Sequence, residues 1–313
     1  MNILVSGSRG LIGQALIPVL STGGHRVICL VRFKPRGGES LVYWNPAAGD
    51  IDAPKLEGFD AVVHLAGEPI AGRWNTAKKR AIRESRVKST RLLCETLARL
   101  SSRPRVLVAA SASGYYGDRG DEVLREESKP GSSFLSQVCQ EWEAATKPAT
   151  EGGIRVVKLR FGFVLSPVGG GLGKMLPAFK LGVGGKIGSG KQYLSWIAID
   201  DLVQIILFAT TAEALHGPVN AVAPNPVTNW VFARTLGRVL GRPAIFPMPA
   251  FAVRLAFGEM GKELLLASTR IEPARLLSAG YQFRFPELKG ALRHLLGREQ
   301  LCASAVYTRH HED

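Results

Sequence analysis

The sequence predicts an α/β fold, a doubly wound parallel sheet with a smaller C-terminal lobe, on three observations. A short apolar strand, Ile3-Leu4-Val5, runs straight into a turn carrying Gly7, Gly10 and Gly13 and then into an apolar helical stretch. Strand and helix signals go on alternating through the first half of the chain, the pattern of a parallel sheet covered on both faces. A length of 313 residues exceeds one minimal nucleotide-binding unit and suits that unit plus a smaller lobe. The expected sheet is of the Rossmann type.

Each element has its own justification. Gly7 suits backbone angles that a side chain would forbid, Gly10 leaves room for a diphosphate near the main chain, and Gly13 lets the helix pack closely on the strand. The diphosphate is expected on the N–H groups at the positive end of that helix, with Gly7, Ser8, Arg9, Gly10, Leu11, Ile12 and Gly13 as its contacts. After the helix (Gln14 to Leu20) and a Gly23-Gly24 turn, Arg26 to Val31 reads as a buried parallel strand. An acidic residue at this second strand end would accept from the ribose 2′-hydroxyl of NAD(H). None occurs before Glu39; Val31 is followed by Arg32 and Lys34, with Arg36 behind them. These cations suit a 2′-phosphate, each charge-assisted contact being worth roughly 1.5–3 kcal/mol. The expected cofactor is NADP(H); the other reading of these cations is a solvated basic loop.

Phe59 to Leu65 is a third apolar strand ending in Ala66-Gly67. Ser85 to Leu100 reads as an amphipathic helix, Arg105 to Ala110 as a strand, Phe134 to Thr146 as a helix and Ile154 to Arg160 as a strand. Strand ends on such a sheet face the ligand crevice, which places Leu65, Ala66 and Gly67, Ser111 to Ser113, and Arg160 to Leu165 along it. From about Ser166 the chain turns glycine-rich, at Gly169 to Gly171, Gly173 and Gly182 to Gly190. Two readings stand for these glycines, a mobile lid over a substrate and turns that merely shape a loop. The expected division is a dinucleotide-binding domain over residues 1–165, to which 196–222 returns, a substrate lobe over 166–297, and a polar tail over 298–313.

Composition narrows the class. With 46% hydrophobic and 21% charged residues the chain is globular, and no run approaches the roughly 18 apolar residues of a membrane span. The N-terminus leads directly into a strand that the fold requires, not into a signal peptide. Cys29, Cys94, Cys139 and Cys302 show neither metal spacing nor a disulfide framework, so no metal site and a cytoplasmic setting are expected. The formal charge of +14 raises nucleic-acid binding. Against it, the basic residues from Arg73 to Arg91 are not grouped with exposed aromatics, no nucleic-acid module signature appears, and the run reads as a solvated helix face. A basic field also draws in anionic cofactors and substrates. The oligomeric state is not legible.

With these pieces placed, the chain resembles the extended short-chain dehydrogenase/reductase superfamily, and within it the atypical subgroup of epimerase family proteins. The resemblance rests on Gly7 to Gly13, Leu65-Ala66-Gly67-Glu68-Pro69-Ile70, Arg73-Trp74, Ser85-Arg86, Ser113-Gly114-Tyr115-Tyr116-Gly117, Arg160 to Leu165 and Ser195 to Leu202. The stretch from Pro247 to Leu296 resembles that subgroup's small terminal domain. Superfamily chemistry implies a Tyr, a Lys four residues later, and a Ser or Thr at the preceding strand end; the Lys lowers the phenol pKa while hydride moves to or from the nicotinamide. With Glu143 as anchor those helix positions fall here on Leu135 and Cys139, and one residue earlier on Phe134 and Val138; in neither register is there a Tyr or a Lys. Ser111 and Ser113 flank the position of the hydroxyl, and Tyr116, with Tyr115 in reserve, is the nearest substitute proton donor. These three, Ser111, Ser113 and Tyr116, are the candidate catalytic residues; their alternative roles are satisfying a turn and packing.

The resemblance further implies that Arg86 reaches a cofactor phosphate and that Val164 borders the nicotinamide. Arg160 either binds an anionic substrate or pairs with an acid such as Glu143, and His64 reads as a packed histidine. Two functions follow: an NADP(H)-dependent oxidoreductase or epimerase acting on a small carbonyl, hydroxyl or nucleotide-sugar-like molecule, and a non-catalytic NADP(H)-binding regulator.

Overall fold

A computed structural model describes residues 1–35 and 40–298 of the chain. The first half alternates as β1 (Asn2–Ser6), α1 (Leu11–Thr22), β2 (Arg26–Val31), β3 (Leu41–Asn45), β4 (Asp50–Ile51), β5 (Ala61–His64), α2 (Thr76–Arg99) and β6 (Val106–Ala112). It continues with β7 (Val123–Leu124), α3 (Phe134–Ala144), α4 (Lys147–Glu151), β8 (Arg155–Phe161), β9 (Phe163–Leu165), α5 (Gly170–Lys180), β10 (Tyr193–Leu194), β11 (Trp196–Ala198) and α6 (Ile199–Thr211). The remainder is β12 (Gly217–Ala221), β13 (Val227–Thr228), α7 (Asn229–Leu240), α8 (Ala250–Gly261), β14 (Arg270–Ile271), α9 (Ala274–Ser278) and α10 (Leu288–Leu295). Arg36, Glu39, Cys302 and the tail from residue 299 onward lie outside the described residues.

The main sheet runs β12-β8-β6-β5-β1-β2-β3-β4. All its pairings are parallel except β3 with β4, which is antiparallel. Both faces are covered, which is why a strand such as Ala61–His64 is buried throughout and opens with the apolar run Ala61, Val62 and Val63. Alternation along β1 divides the core: Ile3 and Val5 join Leu16, Val63, Leu159, Ile205 and Phe232 on one face. Leu4 turns to the other, with Leu30, Val62, Leu93, Leu97 and Leu107. Each such side chain contributes about 1.5–3 kcal/mol when fully buried.

Chain order leaves β1 in both directions, toward β2 and β3 on one side and toward β5, β6, β8 and β12 on the other. That reversal opens a crevice at the C-terminal ends of β1 and β5. The glycine-rich stretch after Ser166 departs from the expected loop, because Gly170–Lys180 is a helix. Its glycines serve close packing: a Cβ at Gly171 would fall on the Phe163 ring, and one at Gly185 on the Phe246 carbonyl.

Candidate functional site

The crevice begins at the turn after β1. Gly7 has φ of +73°, and a Cβ there would sit 2.7 Å from the Leu65 carbonyl carbon, while one at Gly13 would fall on the Gly7 carbonyl oxygen. Neither glycine tolerates a side chain, so the turn hugs the end of β5. Gly10 begins α1 with no side-chain cap and no acid in the first turn. The N–H groups of Leu11, Ile12 and Gly13 therefore have no partner among the described residues, which makes an anion seat at a helix N-terminus. Ser8 stands beside the Cys29 thiol of β2, and the Arg9 guanidinium lies 5.0 Å from the Phe33 ring centroid. Val31 is buried, Arg32 is exposed, and the Lys34 ammonium stands 6.0 Å from the Tyr43 ring centroid. Arg9, Arg32 and Lys34 thus surround the end of β2, with no acid among the described residues there.

A buried relay fixes the two strand ends. Ser6 Oγ accepts from the N–H groups of Leu65 (3.1 Å) and Ala66 (3.3 Å) and lies 2.6 Å from His64 Nδ1. His64 Nε2 is 2.9 Å from Thr90 Oγ1 on α2, which also accepts from Trp142 Nε1 on α3 at 2.9 Å. Burial pushes the His64 pKa down to about 4, so the ring is neutral at pH 7.

Arg86 approaches from α2. Its guanidinium carbon would lie 3.2 Å from a Cβ on Gly67, and Nη1 donates to the Glu68 carbonyl at 3.0 Å and the Ile82 carbonyl at 3.1 Å. Its face meets Trp142, with 5.1 Å from guanidinium carbon to ring centroid. Burial lowers its pKa, yet an Arg remains charged at neutral pH. The Glu68 carboxylate is taken by Lys78 at 2.7 Å, so Arg86 is a half-buried cation whose hydrogen bonds among the described residues go to carbonyl groups. Val164 of β9 closes the opposite side: a Cβ at Gly170 would stand 3.1 Å from Leu11 and 3.8 Å from the Val164 carbonyl.

Two of the expected catalytic side chains are elsewhere. Ser111 is buried and donates to Glu143 Oε1 at 2.7 Å. Glu143 holds Arg160 through both oxygens, at 2.8 and 2.9 Å. Arg160 Nη1 donates to Tyr116 Oη at 2.9 Å, and Tyr116 donates to Asn220 Oδ1 at 2.7 Å. Tyr116 is fully enclosed and burial pushes its pKa up to about 12. Both hydroxyls are thus committed inside a buried ion-pair network. The same contacts resolve Arg160, which pairs with Glu143 and carries the Tyr115 ring 3.5 Å from its guanidinium carbon. Ser113 differs. It is half-buried, and its hydroxyl has no partner among the described residues.

Next to Ser113, a Cβ built on Gly114 would stand 3.3 Å from Leu135 Cβ and 3.9 Å from Cys139 Sγ. Leu135 and Cys139 therefore face the strand end as the resemblance implies, without a phenol or an amine. Burial pushes the Cys139 thiol up to about 12, so it is no nucleophile. The basic α2 is largely neutralised: Lys78, Lys79, Arg80, Arg83 and Lys88 pair with Glu68, Glu259, Glu84, Glu141 and Glu84. Among the described residues no cluster of three metal-ligating side chains occurs, and no helix is long and apolar enough to cross a membrane.

The model of the NAD dependent epimerase/dehydratase family matches residues 3–222. The chain belongs to that family. Residues 248–295 match a domain of unknown function, DUF1731. The epimerase family protein Mb2239 of Mycobacterium bovis is 43% identical over 297 residues, covering 95% of this chain and 98% of that one. Human epimerase family protein SDR39U1, in a crystal structure with NADPH, superposes with a TM-score of 0.87 at 37% identity, covering 96% of this chain and all of that one. A nucleoside-diphosphate sugar epimerase from Corynebacterium glutamicum gives a TM-score of 0.79 at 42% identity, over 97% of this chain and 59% of that one.

Proposed function

We propose that this epimerase family protein is an NADP(H)-dependent oxidoreductase or epimerase of a small carbonyl, hydroxyl or nucleotide-sugar-like substrate. The observation that carries it is the cradle at α1, a turn that excludes a Cβ at Gly7 and at Gly13 beside three N–H groups unpartnered among the described residues, with Arg9, Arg32 and Lys34 in place of an acid at the end of β2. That cradle fits a dinucleotide diphosphate, and the cations fit a 2′-phosphate. The human relative crystallised with NADPH supports the same choice. Gly7 to Gly13 hold the diphosphate, Leu65, Ala66 and Gly67 pass beside the adenosine half, Arg86 reaches an anionic oxygen of the cofactor, and Val164 borders the nicotinamide. When bound, the nicotinamide supplies or accepts a hydride. Ser113 donates a hydrogen bond to a substrate oxygen, and the half-buried charge of Arg86 favours negative charge developing near it. Free thiols at Cys29, Cys94 and Cys139 accord with a reducing, cytoplasmic setting.

A second reading has its own observation. With Leu135 and Cys139 facing the strand end and Tyr116 sealed inside, the fold suits a protein that binds NADP(H) and signals its state without turning it over. One experiment separates the two. NADPH and NADH are titrated separately into the protein, and oxidation of bound NADPH is then followed over a panel of carbonyl compounds and nucleotide sugars. Preference for NADPH with turnover, lowered in Ser113→Ala, supports the enzyme. Preference without turnover supports the regulator, and equal affinity for both cofactors removes the 2′-phosphate site.

A further inference from the structure

A cleft of about 460 Å³ lies between α7 and α10, lined by Thr235, Arg238, Val239, Lys289, Arg293 and Arg298. It shares no residue with the dinucleotide crevice. Four of its six lining residues are cations and none is an acid. Thr235 and Arg238 stand three apart on α7, and Lys289 and Arg293 four apart on α10, so each pair shares one helix face. Leu236, Leu288, Ala291 and Leu292 join the same core beneath them, which fixes the two faces relative to each other.

Among the described residues these charges have no carboxylate partner. On α2 five basic side chains meet carboxylates, whereas none of the four cleft cations forms an ion pair among the described residues. Helix dipoles account for two of them, since Arg238 and Arg293 occupy the last turns of α7 and α10. They do not account for Lys289, which sits in the first turn of α10, where the dipole disfavours a cation and the carboxylate of the N-cap Glu287 accepts from Asn225 Nδ2 at 2.7 Å. Lys289 and Arg293 also repel each other at helical spacing. An anion bound between the two helices offsets both effects.

We propose that the cleft binds a small molecule bearing two or more phosphate groups, at a site separate from the NADP(H) crevice. Its volume falls in the range of about 300–1,000 Å³ that small-ligand pockets occupy. No aromatic side chain lines it, so it lacks the stacking surface on which single-stranded nucleic acid is held. The proposal stands independently of whether the crevice performs hydride transfer.

The test titrates inorganic pyrophosphate into the full chain, with NADPH present in excess to fill the crevice, and follows heat at low salt. Saturable binding of one pyrophosphate is expected. The double variant Lys289→Glu/Arg293→Glu weakens it by about tenfold or more, the equivalent of losing one charge-assisted contact. Arg80→Glu/Lys88→Glu makes the same change of net charge on α2 and leaves the affinity within about twofold. Unchanged NADPH affinity verifies that each variant is folded, and the milder Lys289→Ala shifts pyrophosphate binding in the same direction. Equal weakening by both double variants reduces the cleft to bulk charge and overturns the proposal. So does an absence of saturation, and so does binding of a single-stranded oligonucleotide where pyrophosphate does not bind.

Discussion

Gly7 combines a left-handed backbone, φ +73°, with a main-chain neighbour 2.7 Å from the position of a Cβ, so a side chain is opposed both by conformation and by contact. Gly7→Ala is expected to cost about 1–3 kcal/mol of stability from strained backbone, and more where β5 must shift. NADPH affinity falls by at least about tenfold, because the helix N-terminus is displaced from its strand. Thermal unfolding and an NADPH titration check both effects; an alanine variant matching the parent in each would show that the turn relaxes freely. His64, one strand away, makes a pH prediction. Its pKa is about 4 in the folded chain and near 6.5 unfolded, so between these values the unfolded state binds more protons. Its contribution is fully present above pH 6.5 and is lost as pH falls toward 4. At pH 5 the loss is about 2 kcal/mol relative to pH 7. Urea unfolding at the two pH values measures it, and His64→Gln, which cannot titrate, removes that difference. A wild-type curve as flat as the variant's would mean that the ring is protonated in the fold.

At the scale of elements, α3 is held by a group that no local pattern signals. Glu263, in the π-helical turn Lys262–Leu266 after α8, accepts from Ser133 Oγ (2.9 Å) and from the N–H groups of Phe134 (3.1 Å) and Leu135 (2.9 Å). A carboxylate 128 residues from Leu135 thus caps the helix that carries Leu135 and Cys139 to the crevice. Glu263→Ala is expected to cost about 1–2 kcal/mol and to speed amide exchange at Phe134 and Leu135. Unchanged protection there would show that Ser133 caps the helix alone. This contact marks where the sequence is readable. Strands β1, β2, β5, β6 and β8 are legible because each is a buried apolar run, and the cradle because glycine spacing encodes backbone conformation. The pairing of Arg160 with Glu143 stood as one of two readings and needed distances to decide it. Tyr116 carries two readings in the sequence, proton donor and packed phenol, because a phenol beside a strand end reads the same whether it turns outward or inward; Asn220 and Arg160, remote in sequence, turn it inward. The helix Gly170–Lys180 was hidden by glycines whose purpose is contact with Phe163, a tertiary demand that overrides helix propensity.

For the whole molecule, the decisive question is whether the family module and the C-terminal segment are one cooperative unit. Two-domain chains of this length commonly unfold in stages when the interface is small and polar. Here the core is shared: Leu276, Leu288, Ala291 and Leu292 of the C-terminal helices belong to the same buried cluster as Ile3, Leu16 and Val219. Polar contacts cross the junction at several depths. Asp201 accepts from the N–H groups of Arg284 (2.8 Å) and Phe285 (2.9 Å), Asn220 Nδ2 donates to the Glu272 carbonyl (2.9 Å), and β14 pairs with β7. Arg275 donates to the carbonyls of His216 and Pro218, both at 3.0 Å. Exposing either part would strand buried carbonyl groups and a common apolar surface, a cost that neither part recovers alone. Scanning calorimetry is therefore expected to show one transition whose van't Hoff and calorimetric enthalpies agree. NADPH at about a hundred times its dissociation constant adds roughly 2.7 kcal/mol to the folded state and moves that transition as a whole. Because the cradle lies at the opposite end of the sequence from α10, a ligand that shifted only part of the heat absorption would show that the C-terminal segment melts independently of the sheet.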